Sequence, residues 1–189
     1  MFRDRSLVPA EAIRLAALGL LAEAPRRYGD LAAAVRHFTS RIVGPSLDLM
    51  GTSLELLRYE GLAEAEPGDG RDEPLLHLTP AGRTALAELL RAGLRAPVND
   101  VAKLGLVLKL RFLHHLPESE QAEQIDLAVR AYEQELARLE DLRATDGAAP
   151  GLFRDWLEHD VGEVKARIAW LAHRREALAE PLRTGAGRP

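Results

Sequence analysis

At 189 residues, with 47% apolar and 29% charged side chains, the chain has the composition of a folded globular protein, one ordinary domain or two small ones. No run approaches the ~18 consecutive apolar residues of a membrane span, and the opening MFRDRSLVPAEAIR lacks the apolar core of a signal peptide, so a cytoplasmic location is expected. Zero cysteines exclude disulfides, thiolate nucleophiles and cysteine metal sites, and a net charge of −4, taken alone, argues against nucleic-acid binding.

In chain order, a first helix is predicted from Pro9 to Ala24, with Ile13, Ala17, Leu20 and Leu21 as its apolar stripe and Pro25 ending it. A second, Tyr28 to Thr39, places Leu31, Val35 and Phe38 on one face, and SRIVGP after it reads as a turn with two helix breakers. Ser46 is placed to N-cap a third helix that ends at Gly61 and carries Leu47, Met50, Leu54 and Leu57 at 3–4–3 spacing. Leu62–Glu66 and Leu75–Leu78 can then pair as a two-stranded hairpin around Pro67-Gly68-Asp69-Gly70. A hairpin alone is marginal in water and needs a helical unit to lean on. Thr79-Pro80 restarts the chain as helix, with an N-cap and a proline at the first helical position. Three helices, a hairpin and a following helix describe a winged helix-turn-helix whose hairpin is the wing.

Beyond it, Thr79 to Arg95 reads as a linking helix that ends near Pro97. Asn99–Leu116 is apolar around nearly its whole circumference, and a partner subunit is the simplest cover for such a helix. Glu118–Arg143 repeats Ile125, Val129, Tyr132, Leu136 and Leu139 at 4–3–4–3 spacing, and Phe153–Leu182 repeats Leu157, Val161, Val164, Ile168, Leu171, Arg175 and Leu178 in the same manner. With the breaker-rich ATDGAAPG between them, the two are expected to form an antiparallel hairpin with a coiled-coil-like seam. The expected architecture is mainly α: a winged-helix DNA-binding domain with its linking helix over residues 1–95, an all-α dimerisation region over 96–183, and a disordered tail over 184–189. Leu104, Val107, Leu108, Phe112, Tyr132, Leu136, Leu157, Val164, Ile168 and Leu171 are the residues expected at a homodimer interface.

The six histidines show no i,i+4 zinc pair, and His114 and His115, adjacent on a helix, would point about 100° apart. No nucleophile elbow, phosphate loop or dinucleotide fingerprint occurs, so no catalytic residue, metal or cofactor is expected. Arginine greatly outnumbers lysine, and Arg26, Arg27, Arg36 and Arg41 are opposed locally only by Asp30. In a winged helix these four can sit on phosphates, whereas on an arginine-rich chain they can equally be solvated charges. Ser46, Asp48, Thr52 and Arg58 on the third helix and Arg71 in the wing complete the expected contacts to double-stranded DNA.

Three stretches, LAALGLLAEAPRRYGDLAAAV, LELLRYEGLAEA and HLTPAGRTAL, resemble the PadR-like bacterial transcriptional regulators, with Leu54, Leu57, Gly61, Leu62, Leu78, Thr79, Gly82 and Arg83 on the family pattern. LKLRFLHHLPESEQAEQ is similar to the start of the helical C-terminal region of longer members. The sequence departs from that pattern at Gly51, where the family carries a tyrosine, and at the wing tip, where Glu66, Asp69, Asp72 and Glu73 replace basic residues. The resemblance implies an effector-responsive repressor that binds a palindromic operator as a homodimer. It also implies a planar aromatic effector, for which Trp156 and Trp170, fourteen residues apart on one helix face, are either a wall or simply packing between helices. The alternative is a winged-helix protein without DNA function, serving as a small-molecule sensor or interaction scaffold.

Overall fold

Pro9 opens helix α1 (Pro9–Glu23) at its first position, and the Glu11 carboxylate accepts the backbone N–H of Val8 at 2.9 Å. In this computed structural model the described residues are 7–44, 50–66, 73–94, 97–147 and 151–185, with 50–53 and 179–185 described through their backbone alone. Helix α1 is buried along most of its length, Ala12, Ile13 and Leu15 to Leu18 included, so it forms the axis of the first unit.

After Pro25 the chain makes a two-residue strand β1 (Arg26–Arg27) and enters α2 (Tyr28–Val43), which buries Leu31, Val35 and Thr39 four residues apart. The expected turn after Thr39 is not there. The Thr39 hydroxyl donates to the Val35 carbonyl at 2.9 Å and the Ser40 hydroxyl to that of His37 at 3.2 Å, so both polar side chains are satisfied within the helix. Helix α2 therefore continues until Gly44, whose φ of +83° is in the region glycine adopts without strain.

Helix α3 (Met50–Tyr59) buries Leu54 and Leu57, and its expected cap Ser46 lies outside the described residues. Its C-terminus is a Schellman motif: Gly61 takes φ +70°, its N–H reaches the Arg58 carbonyl at 3.1 Å, and the Leu62 N–H reaches that of Leu57 at 2.8 Å. Strands β2 (Ala63–Ala65) and β3 (Leu75–Leu78) form the wing, in register Ala63 to Leu78 and Ala65 to Leu76. The sheet has three strands in the order β1-β3-β2, because Arg26 and Arg27 pair with Leu76 and Leu75. The expected two-stranded wing is present as β2 and β3, and β1, too short to show an alternating pattern, adds a third strand to it.

Thr79 caps α4 (Pro80–Arg91) by accepting the Gly82 N–H at 3.0 Å, while its hydroxyl donates to the Gly61 carbonyl at 2.7 Å. A Cβ on Gly82 would collide with the Leu62 carbonyl oxygen, so the backbone of α4 meets the end of α3 at a distance only glycine allows. The Gly61-Leu62 and Leu78-Thr79-x-x-Gly82 segments, far apart in sequence, are thus one hydrogen-bonded junction.

Helix α5 (Asp100–Phe112) corrects the expectation of a partner-covered helix. Leu104, Leu108 and Phe112 are buried against the chain's own α1 and α2, so their burial requires no second subunit. The Arg111 guanidinium lies 5.0 Å from the ring centroids of both Phe38 and Phe112 and pairs with Glu23 at 3.2 Å, tying α1, α2 and α5 together. A 3-10 turn, Leu113–His115, ends this segment where a longer helix was expected.

The chain divides into two units, Met1–Ala92 with Asp100–His115, and Gly93–Asn99 with Leu116–Pro189. Helix α5 therefore belongs with the winged helix rather than with the C-terminal helices, unlike the expected division at residue 95. The second unit is an antiparallel pair, α6 (Glu118–Asp146) and α7 (Phe153–Gly185), crossed by Glu140–Lys165 at 2.9 Å and Asp126–Arg175 at 3.2 Å. Its seam buries Leu139, Leu157 and Val161, flanked by Leu136, Leu142, Phe153 and Val164. Tyr132, Leu157 and Leu171 are likewise buried within the chain, and Leu136, Val164 and Ile168 are half-buried, so the heptad pattern encodes this internal seam first. Residues 184 and 185, expected in a disordered tail, are the last of α7, and 186–189 lie outside the described residues. Among the described residues no helix is long and apolar enough to cross a membrane.

Candidate nucleic-acid interface

Helix α3 turns Leu54 and Leu57 inward, which leaves Glu55, Leu56, Arg58 and Tyr59 on its outer side. Tyr59 is 90% exposed, an unusual state for an aromatic side chain on a packed unit. Just beyond, Glu60 pairs with Arg14 of α1 at 2.6 Å, which anchors the C-terminal end of α3. Thr52 lies in α3 by its backbone, while Ser46, Asp48 and Arg71 lie outside the described residues, as do Asp69 and Asp72 of the wing tip.

The four expected phosphate arginines separate into two kinds. Arg36 and Arg41 are exposed on α2. Arg26 and Arg27 are half-buried and engaged in the fold. Arg26 Nε donates to the Leu20 carbonyl at 3.4 Å, its guanidinium lies 4.0 Å from Glu23, and Arg27 Nη1 donates to the carbonyl of Glu73. Sequence proximity had grouped four residues that the sheet divides.

Glu73 has two jobs that its reading as a mere acidic wing residue misses. Besides the Arg27 contact, its carboxylate accepts the Gly29 N–H at 3.1 Å, satisfying an orphan donor in the first turn of α2 from the wing side. On the opposite edge Glu66 meets His77 Nε2 at 3.1 Å across the hairpin. At Tyr28, the first position of α2, burial, then the charges of Glu55 and Glu73, hold the phenol pKa above the usual value. No local sequence signal marks Tyr28, Glu55 and Glu73 as neighbours, since they come from three elements.

Elsewhere in the unit, His114 and His115 have ring centroids 4.2 Å apart, and burial followed by the neighbouring His114 lowers the His115 pKa. Among the described residues no three His, Asp or Glu side chains converge as a metal site. In the second unit, Trp156 and Trp170 are 50% and 44% exposed on α7, Trp156 stacks on Phe153 with ring centroids 5.8 Å apart, and Leu152, just before the helix, is 80% exposed. Packing within the chain thus covers about half of each tryptophan.

The family model described as "Putative AphA-like transcriptional regulator" matches residues 2–174. No curated protein is similar at a significant level. Among solved structures, the chain is similar to Bacillus subtilis PadR at 17% identity over 92% of this chain and 98% of that one, with a TM-score of 0.37. It is similar to the same organism's PadR in complex with operator DNA at 19% identity over 87% and 96%, with a TM-score of 0.36. The structure of smu.1604c from Streptococcus mutans UA159 is similar at 17% identity over 85% and 96%, with a TM-score of 0.37.

Proposed function

This chain belongs to the AphA-like transcriptional regulators, a PadR-like family, and we propose that it is a DNA-binding repressor that reads a palindromic operator as a cytoplasmic homodimer. The observation that carries the reading is the junction of Gly61, Leu62, Thr79 and Gly82. It locks α3 to the wing while leaving the outer side of α3 free to enter a major groove. Arg36 and Arg41 on α2 are available to phosphates, and Arg58 lies on α3 itself. Homodimerisation would use the exposed side of α7 with Trp156 and Trp170, together with Leu152 just before it, because apolar residues exposed in one copy are covered economically by a second. A planar aromatic effector would bind against one of them, Trp156 or Trp170, in competition with that contact.

A gel-shift titration of the full-length protein against duplex DNA from upstream of its own gene tests the reading. A discrete complex at low salt, weakened steeply as salt rises, supports it. No complex on any such duplex at low salt overturns it. The second reading, a sensor or scaffold without DNA function, is favoured by one observation: Arg58 is flanked by Glu55, Leu56 and Tyr59 on the side that would face the phosphates.

A further inference from the structure

Tyr28, Glu55, Arg58, Glu73, Pro74 and Leu76 line a cleft of about 470 Å³ in the first unit, where the start of α2, one turn of α3 and the start of β3 converge. That volume falls within the ~300–1,000 Å³ range of small-molecule sites. Its apolar surface comes mainly from the Tyr28 ring and Pro74, with the buried Leu76 beneath them, and its polar groups are two carboxylates and one guanidinium.

The carboxylates are placed by the fold rather than by chance. Glu73 is held by the Gly29 N–H, which takes one of the roughly four acceptor positions of a carboxylate, and Glu55 stands on the helix opposite. Tyr28 shares the lining with them, and burial, then the charges of Glu55 and Glu73, oppose the ionisation of its phenol. With Glu55 and Glu73 against Arg58, the lining carries one net negative charge. An anion would meet two carboxylates against a single guanidinium, whereas an ammonium group gains a charge-assisted hydrogen bond from either carboxylate.

We propose that this cleft binds a small organic cation: an amine or guanidine whose charge lies between Glu55 and Glu73 and whose apolar body rests on Tyr28, Pro74 and Leu76. The proposal goes beyond the repressor reading and is tested on the free protein, so its failure leaves that reading where it stands.

The experiment is calorimetric titration of the full-length protein with tyramine, benzylamine and agmatine, with tyrosol as the uncharged counterpart of tyramine. At least one amine is expected to bind, with tyramine at least tenfold tighter than tyrosol if it is the one. Glu55→Gln and Glu73→Gln are each expected to weaken the bound amine at least tenfold. Glutamine at position 73 keeps an acceptor for the Gly29 N–H, and Glu55 is exposed on α3, so the melting temperature verifies that both variants stay folded. No binding by any of the three amines at millimolar concentration overturns the proposal. So does tyrosol binding as tightly as tyramine, or an affinity unchanged in both folded variants.

Discussion

Phe112 of α5 lies against α1 at Gly19, where a Cβ would stand only 2.5 Å from the phenylalanine Cδ2. Gly19 costs α1 helix propensity, roughly 1 kcal/mol relative to alanine, and in exchange lets a large ring approach the helix backbone. Gly19→Ala is therefore expected to destabilise the protein despite its better propensity, by about 1–3 kcal/mol for an overpacked core. Phe112→Ala should cost about 3–5 kcal/mol. The double variant should lose less than the sum, since the smaller residue at 112 makes room for the new methyl. Chemical denaturation measures all three, and strict additivity would disprove the clash.

Thr79→Ala removes both the cap of α4 and the donor to the Gly61 carbonyl. A loss of about 1–2 kcal/mol is expected, with Thr79→Ser recovering most of it. Thermal melting distinguishes the pair, and equal melting temperatures for the alanine and serine variants would rule out a hydroxyl role.

The division among the arginines predicts two phenotypes. Arg36→Ala and Arg41→Ala should leave stability unchanged within ~0.5 kcal/mol. Each should flatten the log–log salt dependence of operator binding by about 0.9 per subunit if it neutralises a phosphate. Arg27→Ala, by contrast, should lower the melting temperature through its lost contact with the Glu73 carbonyl. A salt slope unmoved by either exposed arginine would remove both from the interface.

Burial lowers the Lys109 pKa from 10.5 to about 8. Between those values the unfolded chain binds more protons at this site than the folded one, so this contribution to stability rises with pH from about 8 towards 10.5. Below about pH 8 the cost of keeping the ammonium buried is fully present, on the order of 3 kcal/mol from the shift. Tyr28 and Tyr132, whose pKa values burial raises, act in the opposite sense above pH 10, so the clean window is pH 8 to 9.5. Urea unfolding across it should show the rise in the native protein and a flatter profile in Lys109→Met. Parallel profiles would count against the assignment.

Trp156→Glu and Trp170→Glu together should convert the proposed dimer to a monomer in light scattering while leaving helix content intact, because both side chains are exposed within one chain. A mass unchanged at micromolar concentration would move the interface elsewhere.

Much of the helical framework was legible because its signals are local. Pro9 and Thr79-Pro80 mark helix starts through caps that span three residues, Gly61 ends α3 by its own backbone freedom, and the 4–3 repeats of α6 and α7 name their seam. The Gly61-Leu62 and Leu78-Thr79-x-x-Gly82 motifs likewise mark the end of α3 and the close of the wing, though not the hydrogen bond that joins them. Expectation and structure part wherever the deciding partner is distant in sequence.

Periodicity shows that α5 must be covered but not by what, and only packing reveals α1 and α2 of the same chain as the cover. A two-residue strand has no period to detect, so β1 exists only through its pairing with Leu75 and Leu76, and that pairing draws Arg26 and Arg27 into the fold. Charge composition identifies arginines and glutamates without saying which of them meet. Tyr28, Glu55 and Glu73 become one cleft because three elements close on it. Local backbone preferences depend on a few neighbouring residues and are written in the sequence. The environment of a side chain depends on residues tens of positions away, and the tertiary structure decides it.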